Sequence, residues 1–457
     1  MAEQCVQTAL FPELFAKPLV AQFDTPQLSS DGGAILLKAI DEQLGLTARL
    51  AACLPEWRQA GKVEHDLPAL VRQRCFGLAC GYPDANDAAR LKDDPIHKLL
   101  VGRDPEAGAS LASQPTLSRF ENAIATRDLV RLTYALADVV IVHQQARLGA
   151  KRVRRITIDL DPTEDPTHGQ QELAFFNGHY DSWCYLPVVG TLTFNHDREQ
   201  YLVTAILRPG NAPASRGAIG LLRRLFRKLR VAFPKAKLRV RLDGGYATPE
   251  LFAFLDAEGV EYLVGMASNA RLAKRIRRLL GRARVLSKAS GQTEHLYGET
   301  RYAAKKWRRK RRVIMKAEVV RLAGRAPRDN PRFVVTNLWQ TPRHVYGLYC
   351  DRGDPENRIK ELHYGLGLDR MSCSSFRANA FRTLLTAAAY VLLQDLRRHL
   401  AHTACATSQV STLRERLIKL GARVQVSARR IVLHLPSAFP WLAVWQAAAL
   451  ALGARGG

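Results

Sequence analysis

The run from Arg155 to Asp161, RITIDLD, sets Ile156, Ile158 and Leu160 on one face of an extended chain, with Asp159 and Asp161 on the other. Asp161 ends that strand, and Pro162-Thr163 follows. The run Leu238 to Asp243 alternates in the same way, and Asp243 ends it before Gly244-Gly245-Tyr246. A carboxylate at a sheet edge loses solvation unless it is wet, capped or bound to a cation. One such aspartate is ordinary turn chemistry. Two, on strands that the element order can set side by side, point to a divalent-cation site, because hard cations take carboxylate oxygens. Asp159 and Asp161 share a face, and either can meet the metal.

A third carboxylate lies in Tyr349-Cys350-Asp351-Arg352-Gly353-Asp354-Pro355-Glu356. Asp354 reads as a helix cap and Pro355 as the first helical residue. Glu356, Lys360 and His363 then share one face, at i, i+4 and i+7. Ile359 and Leu362 share another with Leu366, and that face can pack on a sheet. A carboxylate with Tyr349, Arg352 and Lys360 close by suits an anionic substrate held beside metal ions. Taken alone, the Glu356–Lys360 spacing is also that of a surface ion pair.

The elements that position these groups follow from periodicity. Residues 1–150 read as mainly helical, with helix starts after Ser30-Asp31-Gly32-Gly33, at Asp66 and at Ser113. The segment from Ser113, SQPTLSRFEN, could supply the recognition helix of a DNA-binding motif or an ordinary bundle helix. From Arg154 the pattern changes. Strands at 155–161, 185–194 and 200–207 are close enough to form a meander. A helix at 216–230, a strand at 238–243, a helix from Thr248-Pro249 and a strand at 261–266 follow. Strand-like runs at 312–321 and 331–336 belong to a β-containing insertion. Residues 354–400 read as helices packed back on the sheet. A helix at 412–420 and a hairpin at 422–435 close the chain. The fold class is α/β.

Composition narrows the partner. The 457 residues carry 68 Lys and Arg against 42 Asp and Glu, a net charge of +26. With 47% hydrophobic residues the chain can bury a core, so global disorder is excluded. Residues 1–100 have a net charge of −3, whereas residues 271–330 hold 20 basic and 4 acidic residues. The peak is Lys305, Lys306, Trp307, Arg308, Arg309, Lys310, Arg311 and Arg312, seven cations in eight residues. Such a run is expected to face solvent or phosphate, and it points to a DNA backbone. Trp307 could stack on a base there or belong to the core. The 8 cysteines form no CxxC pair, which argues against a zinc ribbon. No signal peptide or membrane-spanning run is apparent, so a cytoplasmic protein is expected. The absence of GxxxxGK[ST] excludes a P-loop ATPase and a nucleotide cofactor of that kind. No serine stands out beside an arginine cluster, which disfavours a serine recombinase.

The order Asp161-Pro-Thr163, Asp243-Gly-Gly-Tyr246 and Tyr349-x2-Arg352-x3-Glu356-x3-Lys360 resembles the DDE transposases of bacterial insertion sequences. The likeness is nearest to the insertion sequence 4-like superfamily and, within it, to insertion sequence family 1380. SSDGGA at 29–34, SQPTLSRFEN at 113–122, DPTHGQQEL at 165–173 and RPGN at 208–211 extend the resemblance over nearly the whole chain. One departure is His363, where the pattern usually has a second lysine. The resemblance favours Asp161 over Asp159, because the Asp-x-Thr pattern starts there.

The resemblance implies an RNase H-like mixed sheet with flanking helices, a β-rich insertion domain and a mainly helical N-terminal region. The expected division is 1–150 for DNA binding, 151–270 and 346–400 for the two parts of the catalytic core, 271–345 for the basic insertion, and 401–457 for the C-terminal region. It implies that Asp161, Asp243 and Glu356 hold Mg²⁺ or Mn²⁺, as two ions. Tyr349, Arg352 and Lys360 would grip phosphates. The enzyme would cut double-stranded DNA at terminal inverted repeats, join 3′-hydroxyls to target DNA, and work as a dimer near the bacterial nucleoid. Two rivals keep the same residues: a metal-dependent nuclease without strand transfer, and a catalytically silent DNA-binding relative.

Overall fold

The computed structural model describes residues 8–10, 16–17 and 19–455. Its centre is a mixed sheet. We number its main strands β1 (Arg155–Pro162), β2 (Val188–Phe194), β3 (Tyr201–Ile206), β4 (Lys237–Leu242), β5 (Glu261–Met266), β6 (Glu294–Tyr302), β7 (Arg311–Val320) and β8 (Arg332–Thr336). Their spatial order is β6-β7-β8-β5-β4-β1-β2-β3. The first three strands in sequence form an antiparallel meander, with Asp161 opposite Val189. β4 returns parallel to β1, with Leu242 beside Leu160, and β5 lies parallel to β4. The meander and the two parallel returns match the expected strand series.

The expected strand at 185–194 is two strands in the structure. Ser182–Tyr185 pairs in a separate small sheet, and β2 begins at Val188 after Pro187, which cannot donate to a ladder. Residues 271–345 open with a helix that the strand reading did not include, α7 (Ala270–Ser290). Asn269 caps it by accepting from the Leu272 N–H, and Leu272, Ile276, Leu280, Ala283 and Ser287 form its buried face. The strands beyond it pair with one another, and β8 pairs antiparallel with β5, so they extend the same sheet.

The longer helices preceding α7 are α1 (Ile35–Leu44), α2 (Leu67–Cys80), α3 (Gln114–Asn122), α4 (Thr126–Leu148), α5 (Ala218–Ala232) and α6 (Pro249–Ala257). Asp66 caps α2 by accepting from the Ala69 N–H, and Gly81 ends that helix at φ +94°. The SQPTLSRFEN segment is α3, and its Glu121 forms a buried ion pair with Arg74 of α2. After the sheet come α8 (Pro342–Cys350), α9 (Gly353–Lys360) and α10 (Phe376–His399). α9 starts at Gly353, with Arg352 in the cap position, so Asp354 and Pro355 lie in its first turn rather than ahead of it. α10 is buried along nearly its whole length, and packs on β3, α2 and α4. It joins the N-terminal helices to the sheet through one continuous core.

The SSDGGA segment is where the C-terminal residues dock. A Cβ on Gly33 would lie 1.7 Å from the Leu417 carbonyl oxygen, and one on Gly32 would lie 2.5 Å from the Ala422 Cβ. Both positions therefore need glycine for close approach rather than for helix initiation.

Candidate active site

Asp161 and Asp243 stand at the carboxyl ends of adjacent parallel strands, β1 and β4. Asp161 is buried at 8% exposure, and Asp243 is half-buried. Asp243 caps a short turn, accepting from the Gly245 N–H at 2.8 Å. Glu356 is exposed on the first turns of α9. Arg352 links the set. Its guanidinium lies 2.5 Å from an Asp161 oxygen and 3.6 Å from a Glu356 oxygen. Glu356 therefore turns toward Arg352 and Asp161, and the Glu356–Lys360 ion pair is not formed.

The charges at this site do not balance. Burial pushes the Asp161 carboxyl up to about 7. Arg352 opposes that rise, while Asp243 and Glu356 add to it. Arg352 is in ion-pair contact with Asp161 and Glu356, and Arg208 acts on Asp243 at longer range, so three carboxylates face two arginines. The donors are all carboxylate oxygens, which suits Mg²⁺ or Mn²⁺ rather than a soft metal. Both the donor chemistry and the excess of negative charge fit a divalent cation.

Asp159 has a different task. Its two oxygens accept from Arg241 at 2.8 and 2.9 Å, in a buried fork between β1 and β4. Arg241 also donates to the Leu348 carbonyl at 3.1 Å, which ties α8 to the sheet. That leaves Asp161 as the aspartate of β1 turned toward Arg352.

Tyr349 completes the wall. A Cβ on Gly265 of β5 would lie 2.5 Å from the Tyr349 hydroxyl, so the ring is seated where only glycine leaves room. Burial raises the pKa of its phenol; Asp243 and Asp161 add to the rise and Arg352 opposes it. Tyr349 therefore keeps its proton and can donate it in a hydrogen bond. Lys360 is exposed on α9, with no ion-pair partner among the described residues. His363 accepts or donates a 3.1 Å hydrogen bond with Thr163, pinning the end of α9 to the turn after β1.

The residues that hold α9 were not apparent from spacing. After Lys360 the helix widens into a π-turn at Glu361–Gly365. The Glu361 carboxylate is buried, accepting from Tyr390 at 2.6 Å, Arg397 at 2.6 Å and the Val410 N–H at 3.1 Å. Arg358 and Arg397 also reach Glu199, each at 3.0 Å. This network ties the Glu356 helix to α10 and to the turn before β3. No residue-type signal marked this network, because the π-turn that frames it, a device frequent at functional sites, is a backbone feature.

The basic run lies elsewhere. From strand spacing and rise, residues 305–310 are roughly 20 Å from Asp243, toward the opposite end of the strands. Lys305, Lys306, Arg308 and Lys310 are exposed, with no ion-pair partner among the described residues. The other members of the run are engaged by the protein. Arg309 and Arg311 each lie 2.5 Å from an Asp256 oxygen, and Arg312 pairs with Glu299. Trp307 is buried edge-on against Phe252 and Tyr302. β7 begins at Arg311 and draws Arg311 and Arg312 into the sheet, so not all seven cations face solvent as expected.

Among the described residues, one tight group of metal-ligand types occurs: Asp31, Cys80 and His97, with ligand atoms within 4.8 Å of one another. It is internally satisfied. Asp31 accepts from Lys419 at 2.8 Å and meets His97 at 2.8 Å.

Two strand-end aspartates, a helical glutamate and a bridging arginine thus form one acidic site. In a comparison with protein families, the family Transposase DDE domain group 1 matches residues 11–454. The chain belongs to this family, whose chemistry depends on a divalent metal. No curated protein matches the chain significantly. No helix of the described residues is long and apolar enough to cross a membrane.

Proposed function

We propose that the chain cuts DNA at the terminal inverted repeats of a bacterial insertion sequence and joins the freed 3′-hydroxyls to target DNA. The observation that carries this is the placement of Asp161 and Asp243 at the ends of adjacent parallel strands, with Glu356 brought to them through Arg352. The strand order supports an RNase H-like core. The motif spacing favours insertion sequence family 1380.

Asp161, Asp243 and Glu356 would hold the ions, two by analogy with the family. When bound, divalent cations activate the attacking oxygen and stabilise the leaving one in an in-line displacement at phosphorus. Arg352 holds Asp161 in place until then and afterwards can turn to phosphate. Tyr349 donates its hydroxyl proton toward the same phosphate. Lys360 reaches the backbone from the open face of α9. Two DNA ends must be held together for transposition, which favours a dimer at work, in the cytoplasm beside the nucleoid. The free cations of the 305–312 run would hold duplex away from the cut.

The test is a cleavage and joining assay on labelled DNA carrying the repeats that flank the gene, with Mg²⁺ or Mn²⁺. Wild type should cut at the repeat ends and join the products. Asp243→Asn should bind the same DNA and do neither. Cutting without joining would favour the nuclease. Binding without cutting by the wild type would favour the silent relative.

A further inference from the structure

Trp339 is 85% exposed, although an indole carries one of the largest apolar surfaces of any side chain. The turn that carries it is not loose. Asn337 accepts from the Tyr262 N–H at 2.9 Å and donates to the Val260 carbonyl at 2.8 Å. The Thr336 hydroxyl accepts from the Leu338 N–H at 3.0 Å, and Leu338 is buried. Arg312 reaches across from β7. It donates to the Leu338 carbonyl at 2.5 Å and to the Gln340 carbonyl at 2.8 Å, bracketing Trp339 on both sides. The peptide is clamped, and the indole is the part left outside.

The indole borders a groove of about 490 Å³ that is also lined by Arg301, Arg309, Lys310 and Arg312. Arg301 and Lys310 are exposed, with no ion-pair partner among the described residues. A rigidly presented aromatic between free cations fits a strand that offers phosphates and a bare base face together. Phosphates bind the cations, and any base can stack on the ring whatever its sequence.

We infer that this groove binds a DNA segment with an exposed base face, which stacks on Trp339 while Arg301 and Lys310 hold the neighbouring phosphates. The inference rests on the reading of the chain as a DNA-acting enzyme. The groove is separate from the acidic site. The nine residues of α8 lie between Trp339 and Arg352, and they span roughly 13 Å. By strand spacing and rise this groove, like residues 305–310, lies roughly 20 Å from Asp243. Its source is either a single strand or an unpaired nucleotide in a duplex.

Three probes of one sequence separate these sources: a 20-nucleotide single strand, its intact duplex, and the duplex with one bulged 2-aminopurine. Full-length protein without added metal binds each, so that no cutting intervenes. Trp339→Ala should weaken binding of the single strand and the bulged duplex roughly tenfold, within the range for loss of one stacked base. The intact duplex should change less than about twofold, and Trp339→Phe should retain most of the affinity. The 2-aminopurine should be quenched by wild type and not by Trp339→Ala. Loss on the bulged duplex alone places the base within a duplex, and loss on the single strand as well extends the site to single strands. Equal affinities of wild type and Trp339→Ala for all three probes would overturn the inference, as would an equal loss on all three. Failure of the wild type to bind any probe would overturn the DNA reading itself, which is a different result.

Discussion

Two clusters of metal-ligand side chain types in this protein differ in their electrostatics. Asp31, His97 and Cys80 are packed tightly enough to resemble a metal site, with ligand atoms within 4.8 Å. Their charge is already answered, because Asp31 is held by His97 and Lys419, and Lys419 also lies 4.0 Å from the centre of the Tyr82 ring. Asp161, Asp243 and Glu356 are more loosely arranged, with ion-pair contacts to Arg352 and a longer-range attraction from Arg208, so two arginines face three carboxylates. Proximity marks the first cluster and unbalanced charge marks the second. For a hard cation the second property is the more informative, since a buried excess of negative charge is stabilised by the ion that neutralises it.

Substitutions can break this contrast. Glu356→Gln should lower the cleavage rate by more than about a hundredfold, the scale seen when a group that stabilises transition-state charge is removed. Its melting temperature without metal should stay unchanged, because Glu356 is exposed and makes only a long ion pair. Asp31→Ala should behave in the opposite way. It leaves His97 and the half-buried Lys419 without their shared carboxylate, and losing hydrogen bonds to such a charged group costs about 1.5–3 kcal/mol. Thermal melting should show a clear loss of stability, while cleavage per folded molecule should hold. If Asp31→Ala instead removed cleavage without loss of stability, the assignment of the two clusters would be reversed.

The difference between the clusters also marks how far the sequence could be read. Period-two alternation revealed β1 and β4, because these strands keep apolar residues on one face. Asp161 and Asp243 stood out because carboxylates at strand ends conflict with that pattern, and Glu356 because of its spacing from Tyr349, Arg352 and Lys360. Alternation alone left Asp159 and Asp161 open and only the resemblance favoured Asp161, since the partner that engages Asp159, Arg241, arrives from a neighbouring strand. The helix at 270–290 was hidden by its own charge, although Leu272, Ile276 and Leu280 keep helical spacing. Tertiary partners also decided the fate of the basic run. Asp256, Glu299 and the Phe252 ring lie far from it in sequence, yet they engage Arg309, Arg311, Arg312 and Trp307.

A third carboxylate sharpens the comparison, because it is buried with no cation at all. Asp165 is fully buried, and neither of its oxygens has a hydrogen-bond partner. Burial, then Asp369 and Glu164, push its carboxyl up to about 8 from an ordinary 3.8. The folded state therefore binds more protons than the unfolded state between these values. The stability this group contributes is fully present below pH 3.8 and is lost as pH rises through about 8. Asp165→Asn should raise the melting temperature at pH 8 more than at pH 4. An equal change at both values would show that Asp165 has a cationic or hydrogen-bonding partner.

The smallest expected effect concerns Lys360. Lys360→Ala should weaken duplex binding a few-fold and reduce the salt dependence of log K by about 1, as expected for one phosphate contact. Stability should change by less than about 0.5 kcal/mol, as for other surface positions. An unchanged salt slope would remove Lys360 from the DNA surface.

The contrast between the clusters is tested most directly by locating the metal. Fe²⁺ would replace Mg²⁺ in the full-length protein, with ascorbate and peroxide supplying hydroxyl radicals that cut the chain beside the bound ion. The account predicts cuts near residues 161, 243 and 356, suppressed by excess Mg²⁺ and absent in Asp243→Asn. Cuts confined to the neighbourhood of residues 31, 80 and 97 would contradict it.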